Sequence, residues 1–219
     1  MSHGYHQVEM PLVYGLSHYF GCVMHDMLFR GDIHGHDNLP RTGPCIVAGN
    51  HASYLDPAAV GIHIPRTIRV IARKTLWKPG FVSWWLDRML VVPVDRDGGS
   101  DVKAIKAMLH EIKHNRPIGI FPEGTRSLDG NLLPAKPGAG MFACRTGVPV
   151  VPVRIFGAYD ALGRSGKLRL FTPVSLVFGK PLLPADYDDP SKGQDRYQHA
   201  SNIIMAAIAQ LKLPAPPVI

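Results

Sequence analysis

Residues 44–57 read PCIVAGNHASYLDP. An apolar run, Cys45 to Ala48, stops at Gly49-Asn50, and His51 and Asp56 follow with four residues between them. A short apolar run bounded by turn residues is the pattern of a buried strand. Ile46 to Ala48 is therefore expected as a strand, and Asp56 to Ile64 as a helix opening on Pro57. Proline disfavours helical backbone at the residue before it and suits the first helical position itself. His51 and Asp56 then share a strand-to-helix turn. In a continuous helix, residues five apart point about 140° away from each other; in a turn their side chains can meet.

The same alternation continues along the chain. Strands are expected at Ile68 to Ala72, Leu90 to Val94, Ile118 to Phe121 and Val148 to Phe156, with one or two more within Leu168 to Phe178. Helices are expected at Phe81 to Arg88, Asp101 to His114, Ala139 to Arg145 and Tyr197 to Leu211. In the second of these, Val102, Ile105, Met108, Leu109 and Ile112 share one face. Such alternation predicts an α/β fold with a mostly parallel central sheet flanked by helices. The 219 residues suit one domain with one core, and no internal repeat is present. An N-terminal helix is placed within 8–30, the core over 35–180 and a closing helix within 192–213. The Pro- and Gly-rich stretches 183–193 and 213–219 read as a surface connection and a tail.

Hydrophobic residues make up 46% and charged residues 19% of the chain, which excludes a disordered polymer. Lys and Arg number 24 against 17 Asp and Glu, a net charge of +7. That balance favours an anionic partner: nucleic acid, an anionic bilayer surface or a phosphorylated metabolite. The pattern of interleaved aromatic and basic residues that stacks on nucleic acid is missing, and so is a major-groove helix signature, so no nucleic-acid partner is expected. Cys22, Cys45 and Cys144 are far apart and lack zinc-ligand spacing. Free thiols in a reducing compartment, and no metal, are expected. The opening MSHGYHQVEM has no basic segment followed by an apolar core, so no secretory signal is read.

Residues 11–29 are the most hydrophobic long segment, with Leu12, Leu16, Tyr19, Val23 and Met27 at helical spacing. His18, His25 and Asp26 interrupt it, so it falls short of the roughly 20 apolar residues of a membrane span. Two readings stay open: a helix packed on the core, or an amphipathic helix lying in the bilayer interface. Trp77, Phe81, Trp84 and Trp85 form a second candidate contact, with core filling as the alternative.

Groups that act on ligands in open α/β sheets gather beyond the carboxyl ends of the strands. His51 sits there, and Asp56 could fix one ring nitrogen as N–H so that the other takes a proton from an alcohol. Taken alone, the pair is more often structural, a turn residue and a helix cap. A second constellation, FPEGTRS at 121–127, follows another strand-like run. Gly124 lets backbone approach a ligand, and Arg126 offers a planar fork of donors suited to phosphate. Glu123 could orient that guanidinium or contact a substrate hydroxyl. VVPVDRD, 91–97, places Arg96 after a third strand, where it could meet the same anion or simply pair with Asp95 at the surface. One proton acceptor and two guanidiniums at one sheet edge suit a phosphorylated alcohol.

Together these residues resemble the phospholipid/glycerol acyltransferase superfamily, typified by the 1-acylglycerol-3-phosphate acyltransferases. Its N-H-x-x-x-x-D motif matches Asn50-His51 to Asp56, and its F-P-E-G-T-R-S motif matches Phe121 to Ser127 without a change. A V-P-V-V-P-V type run matches Val148 to Val153, and a hydrophobic-Asp-Arg ending matches Val94-Asp95-Arg96. There the family's usual Gly, six residues before the Arg, is Leu90. Lys74 and Lys136-Pro137-Gly138 also sit where the family commonly has such residues.

The resemblance implies transfer of a fatty acyl group from a thioester, coenzyme A or acyl carrier protein, to the free hydroxyl of lysophosphatidic acid. His51 would be the general base and Asp56 its orienting partner. Arg96, Glu123, Gly124, Thr125 and Arg126, with Lys74 and Lys136, would bind the acceptor. The acceptor oxygen attacks directly, with no acyl-enzyme and no cofactor, and the absence of G-x-S-x-G agrees. Oxyanion donors are expected among backbone N–H groups near Gly124 or Gly138. A lipid acceptor implies contact with a membrane surface, placing the protein at the cytoplasmic face as a peripheral or monotopic enzyme. Glycerol 3-phosphate or another lysophospholipid as acceptor, a thioesterase, and a non-catalytic module docking anionic lipid remain as alternatives.

Overall fold

The computed structural model describes residues 10–94 and 102–215. Its sheet is built from β1 (Ile33–His34), β2 (Ile46–Gly49), β3 (Arg69–Arg73), β4 (Val92–Val94), β5 (Ile118–Ile120), β6 (Val150–Phe156) and β7 (Ser175–Phe178). The strand order is β1-β7-β6-β2-β5-β3-β4, parallel except where β7 runs against β6. The α/β class and the mostly parallel sheet are as expected. Only Ser175–Phe178 of the long 168–178 run is a strand. The two-residue β1 is too short to leave a periodic trace in the sequence.

Alternate residues of the central strands feed two cores. Ile46, Ala48, Ile118, Ile120 and Val150 face one side and meet α4 (Val102–Lys113), α5 (Pro137–Thr146) and α8 (Arg196–Gln210). Val47, Val151 and Val153 face the other and meet α2 (Asp56–Ile62) and α6 (Ala158–Leu162). The helices α3 (Phe81–Arg88) and α7 (Pro184–Tyr187) complete the set used below. Burial on both faces explains why β2 and β5 are continuous apolar runs rather than alternating ones.

The chain places β3 two positions from β2, later inserts β5 between them, and then crosses to the opposite side of β2 for β6. The strand order thus reverses around β2 and β5, and their carboxyl ends open the crevice in which such folds bind ligands.

An N-terminal helix, α1 (Leu12–Leu28), packs on α2. It turns histidines and a tyrosine inward. Tyr14 Oη accepts from Ile68 N at 3.2 Å, His18 Nε2 lies 3.1 Å from Ile64 O and His25 Nε2 lies 2.9 Å from Val174 O. The stripe Leu12, Leu16, Tyr19, Val23 and Met27, with Phe20, is exposed. Phe81 and Trp84 of α3 are exposed too, while Trp85 donates to Ser17 Oγ at 3.0 Å and joins α3 to α1. Among the described residues no helix is long and apolar enough to cross a membrane.

Candidate active site

β2 ends at Gly49 and its ladder is prolonged by a side chain. Asn50 Oδ1 accepts from Ile155 N at 2.7 Å and Nδ2 donates to Ile155 O at 3.2 Å, so a buried amide mimics one more rung against β6. The chain then turns. Asp56, fully buried, accepts on a single oxygen, Oδ2, from Ala52 N and Ser53 N, each at 2.7 Å, and from His51 Nδ1 at 2.8 Å. Ser53 Oγ donates to Leu162 O at 2.6 Å and pins the turn to α6. The two residues that the spacing put in one turn are therefore joined. With Nδ1 donating, the neutral imidazole carries its lone pair on Nε2. The ring is 12% exposed and stacks on Phe121 with centroids 4.4 Å apart.

The neighbouring β5 carries the second constellation. Glu123 is 1% exposed; Oε1 accepts from His51 N at 2.9 Å and Oε2 from Leu133 N at 3.3 Å. Burial pushes its carboxyl up to about 7, against the pull of those two N–H groups. Its oxygens thus hold the histidine turn to the 131–133 segment, and no bond to Arg126 is formed among the described residues. Ser127 N donates to His51 O at 2.8 Å and closes the link from the other side. Gly124 adopts φ +65°, and a Cβ there would lie 2.9 Å from Lys136 Cδ, so glycine lets the Lys136 side chain run across this turn. Lys136 N in turn donates to Pro122 O at 2.8 Å. Gly124 N is already donated to Phe121 O at 2.9 Å, whereas Gly138 lies in the first turn of α5.

Arg126 Cζ lies 3.5 Å from the centroid of the Tyr54 ring, and Arg126 Nη1 is buried without a hydrogen-bond partner among the described residues. Thr125 is exposed beside it. Lys74 is exposed at the carboxyl end of β3, the strand next to β5. Arg96 lies outside the described residues. Of the expected site residues, His51, Asp56, Glu123, Gly124, Thr125, Arg126 and Lys136 gather around two adjoining turns, and Lys74 follows the neighbouring strand, β3. Phe121 under the imidazole and Tyr54 under the guanidinium were not singled out from the sequence. Each lies two residues before a carboxylate of its motif, Glu123 or Asp56, and its partner lies on the other turn.

No group of three or more His, Cys, Asp or Glu side chains among the described residues could hold a metal. What the arrangement offers is a base with an oriented lone pair, flanked by cations at a strand-end crevice.

Comparison with known proteins agrees with this geometry. A family model described as Acyltransferase matches residues 30–156. A chloroplastic 1-acyl-sn-glycerol-3-phosphate acyltransferase of Brassica napus is 37% identical over 73% of this chain and 47% of its own length. The 1-acyl-sn-glycerol-3-phosphate acyltransferase of Bacillus subtilis is 30% identical over 73% of this chain and 78% of its own. The crystal structure of the 1-acyl-sn-glycerophosphate (LPA) acyltransferase of Thermotoga maritima superposes with a TM-score of 0.72 at 27% identity, covering 93% of this chain and 81% of that one. The chain spans about half of the Brassica protein and 36% of a chloroplastic Arabidopsis thaliana relative. With its motifs at two adjoining strand ends and the family match running through both, the chain belongs to the acyltransferase family.

Proposed function

We propose that this protein transfers a fatty acyl group from an acyl thioester, coenzyme A or acyl carrier protein, to the free hydroxyl of lysophosphatidic acid, forming phosphatidic acid. The observation that carries this reading is the His51 Nδ1–Asp56 Oδ2 hydrogen bond of 2.8 Å beside the Arg126 and Lys136 cations. The named activity of the Bacillus and Thermotoga relatives supports it.

In the proposed reaction His51 Nε2 takes the acceptor's hydroxyl proton as the oxygen attacks the thioester carbonyl. Asp56 holds the tautomer and stabilises the imidazolium. When the tetrahedral intermediate collapses, the C–S bond breaks, and the imidazolium returns the proton to the leaving thiolate. No acyl-enzyme forms. Arg126 and Lys136, with Lys74 at the rim, hold the acceptor's phosphate, joined by Arg96 on the strength of its motif alone, while Gly124 and Thr125 shape the approach and Glu123 braces the turn. Gly138, rather than the already bonded Gly124 N–H, is the remaining candidate oxyanion donor of the two.

The outer face of α1 serves as the contact with the membrane that supplies the acceptor. Its exposed Leu12, Leu16, Tyr19, Phe20 and Met27, next to the exposed Phe81 and Trp84, and the net charge of +7 support docking on an anionic bilayer surface.

The test is thiol release from palmitoyl-coenzyme A and from palmitoyl-acyl carrier protein, with and without lysophosphatidic acid, with lipid products analysed. The account expects release that requires the acceptor and yields phosphatidic acid. Release that needs no acceptor would make the protein a thioesterase, and absence of release from both donors would leave only lipid docking.

A further inference from the structure

Tyr54 lies between His51 and Asp56, at a position the dyad itself leaves unspecified. Its neighbours Ala52, Ser53 and Asp56 are buried, but Tyr54 is 52% exposed. A large aromatic held at the surface of a tight turn has a partner worth identifying. That partner is Arg126, whose guanidinium carbon sits 3.5 Å from the ring centroid. At this distance the two groups are in van der Waals contact, the arrangement in which arginine gains from both stacking and cation–π attraction.

Three further observations make the stack part of an anion site. First, Arg126 Nη1 is buried and lacks a hydrogen-bond partner among the described residues. A covered N–H of a cation is costly unless an acceptor completes it. Second, the turn that carries Arg126 is tied to the one that carries the base, because Ser127 N, one residue from Arg126, is bonded to His51 O. Third, the Tyr54 hydroxyl is held below the usual phenol range, first by Arg126 and further by the charges of Arg164 and Arg73. Those two arginines come from the segment after α6 and from the end of β3, and both are exposed. Of these cations, Arg126 is the one in contact with the ring.

We propose that Tyr54 is a positioning residue for acceptor recognition: its ring is the platform that aims Arg126 at the acceptor's phosphate. The inference rests on the reading of the acceptor as a phosphate monoester. It assigns Tyr54 to acceptor affinity and leaves proton transfer to His51.

The test is steady-state kinetics of Tyr54→Phe, Tyr54→Leu and Arg126→Ala, with melting temperatures as a control for folding. Tyr54→Leu is expected to raise KM for lysophosphatidic acid about five- to thirtyfold. Its kcat and its KM for palmitoyl-coenzyme A should stay within about twofold. Tyr54→Phe keeps the ring and should restore the acceptor KM. In the Arg126→Ala background the Leu substitution should add little, since the ring acts through that guanidinium. An unchanged acceptor KM in Tyr54→Leu, a fall in kcat without a rise in KM, or a Phe variant as poor as Leu would overturn the assignment.

Calorimetric binding of glycerol 3-phosphate to the same proteins separates this inference from the reading on which it rests. If the wild type transfers no acyl group, the proposed function fails. Weaker glycerol 3-phosphate binding in Tyr54→Leu, recovered in Tyr54→Phe, would still uphold the platform, and equal binding by all three would remove it.

Discussion

Because Asp56 Oδ2 accepts from Ala52 N and Ser53 N as well as from His51 Nδ1, the carboxylate is fixed by the turn before the imidazole reaches it. The base is then oriented by a group whose own position does not depend on the proton it helps to move. Glu123 braces the same turn from β5, and its situation has a consequence for pH. Its carboxyl is raised by burial to about 7 from an unfolded value of 4.5, so between those values the folded state binds more protons than the unfolded one. This group's contribution to stability is fully present below pH 4.5 and is lost as pH rises to 7. We expect the melting temperature of the wild type, measured relative to Glu123→Gln, to fall across that window. A difference that is flat with pH would contradict the assignment. The His51–Asp56 contact was legible in the sequence because a strand stop and a proline bound the turn locally. The bond from His51 N to Glu123 spans 72 residues and the stack of Arg126 on Tyr54 spans two turns, so neither leaves a local pattern.

At the scale of elements, the approach from α3 to β4 carries the family's one evident departure, and the backbone shows why glycine is usual there. Leu90 adopts φ +57°, in the left-handed region where a Cβ is crowded. Leu90→Gly is expected to stabilise the protein by about 0.5–1 kcal/mol, the relief of strain being offset in part by the entropy glycine adds to the unfolded chain. That is a rise of a few degrees in melting temperature; an unchanged or lower value would show that the conformation is unstrained. Most longer helices and strands follow the apolar periodicity, whereas the short β1, α6 and α7 left no such trace, and α7 carries Tyr187 into the core from the 183–193 stretch read as a surface connection. The 168–174 part of the long C-terminal run departs the other way: Leu170 and Phe171 are exposed and Phe171 takes φ +63°. Periodicity cannot distinguish an apolar surface loop from a buried strand, because both are apolar and only tertiary packing separates them.

The molecule as a whole presents an apolar face along α1 and α3, opposite in character to its histidine-lined inner seam. The sequence marked the stripe of α1 but left open which way it faces, since a core helix and an interfacial helix share one periodicity. It faces outward. Replacing both Leu16 and Phe20, 63% and 65% exposed, with Asp is expected to lower binding to phosphatidylglycerol-containing vesicles at least tenfold. The melting temperature should shift by less than about 2 °C, as surface substitutions do. Unaltered vesicle binding would assign the membrane contact to another face.

The central claim is that His51, oriented by Asp56, removes the acceptor's proton. The most direct measurement compares acceptor-dependent thiol release by wild-type protein and His51→Ala at saturating thioester and lysophosphatidic acid. The account predicts a loss of about 10²–10⁴-fold or more in kcat with vesicle and acceptor binding retained. Release by His51→Ala at the wild-type rate would contradict it.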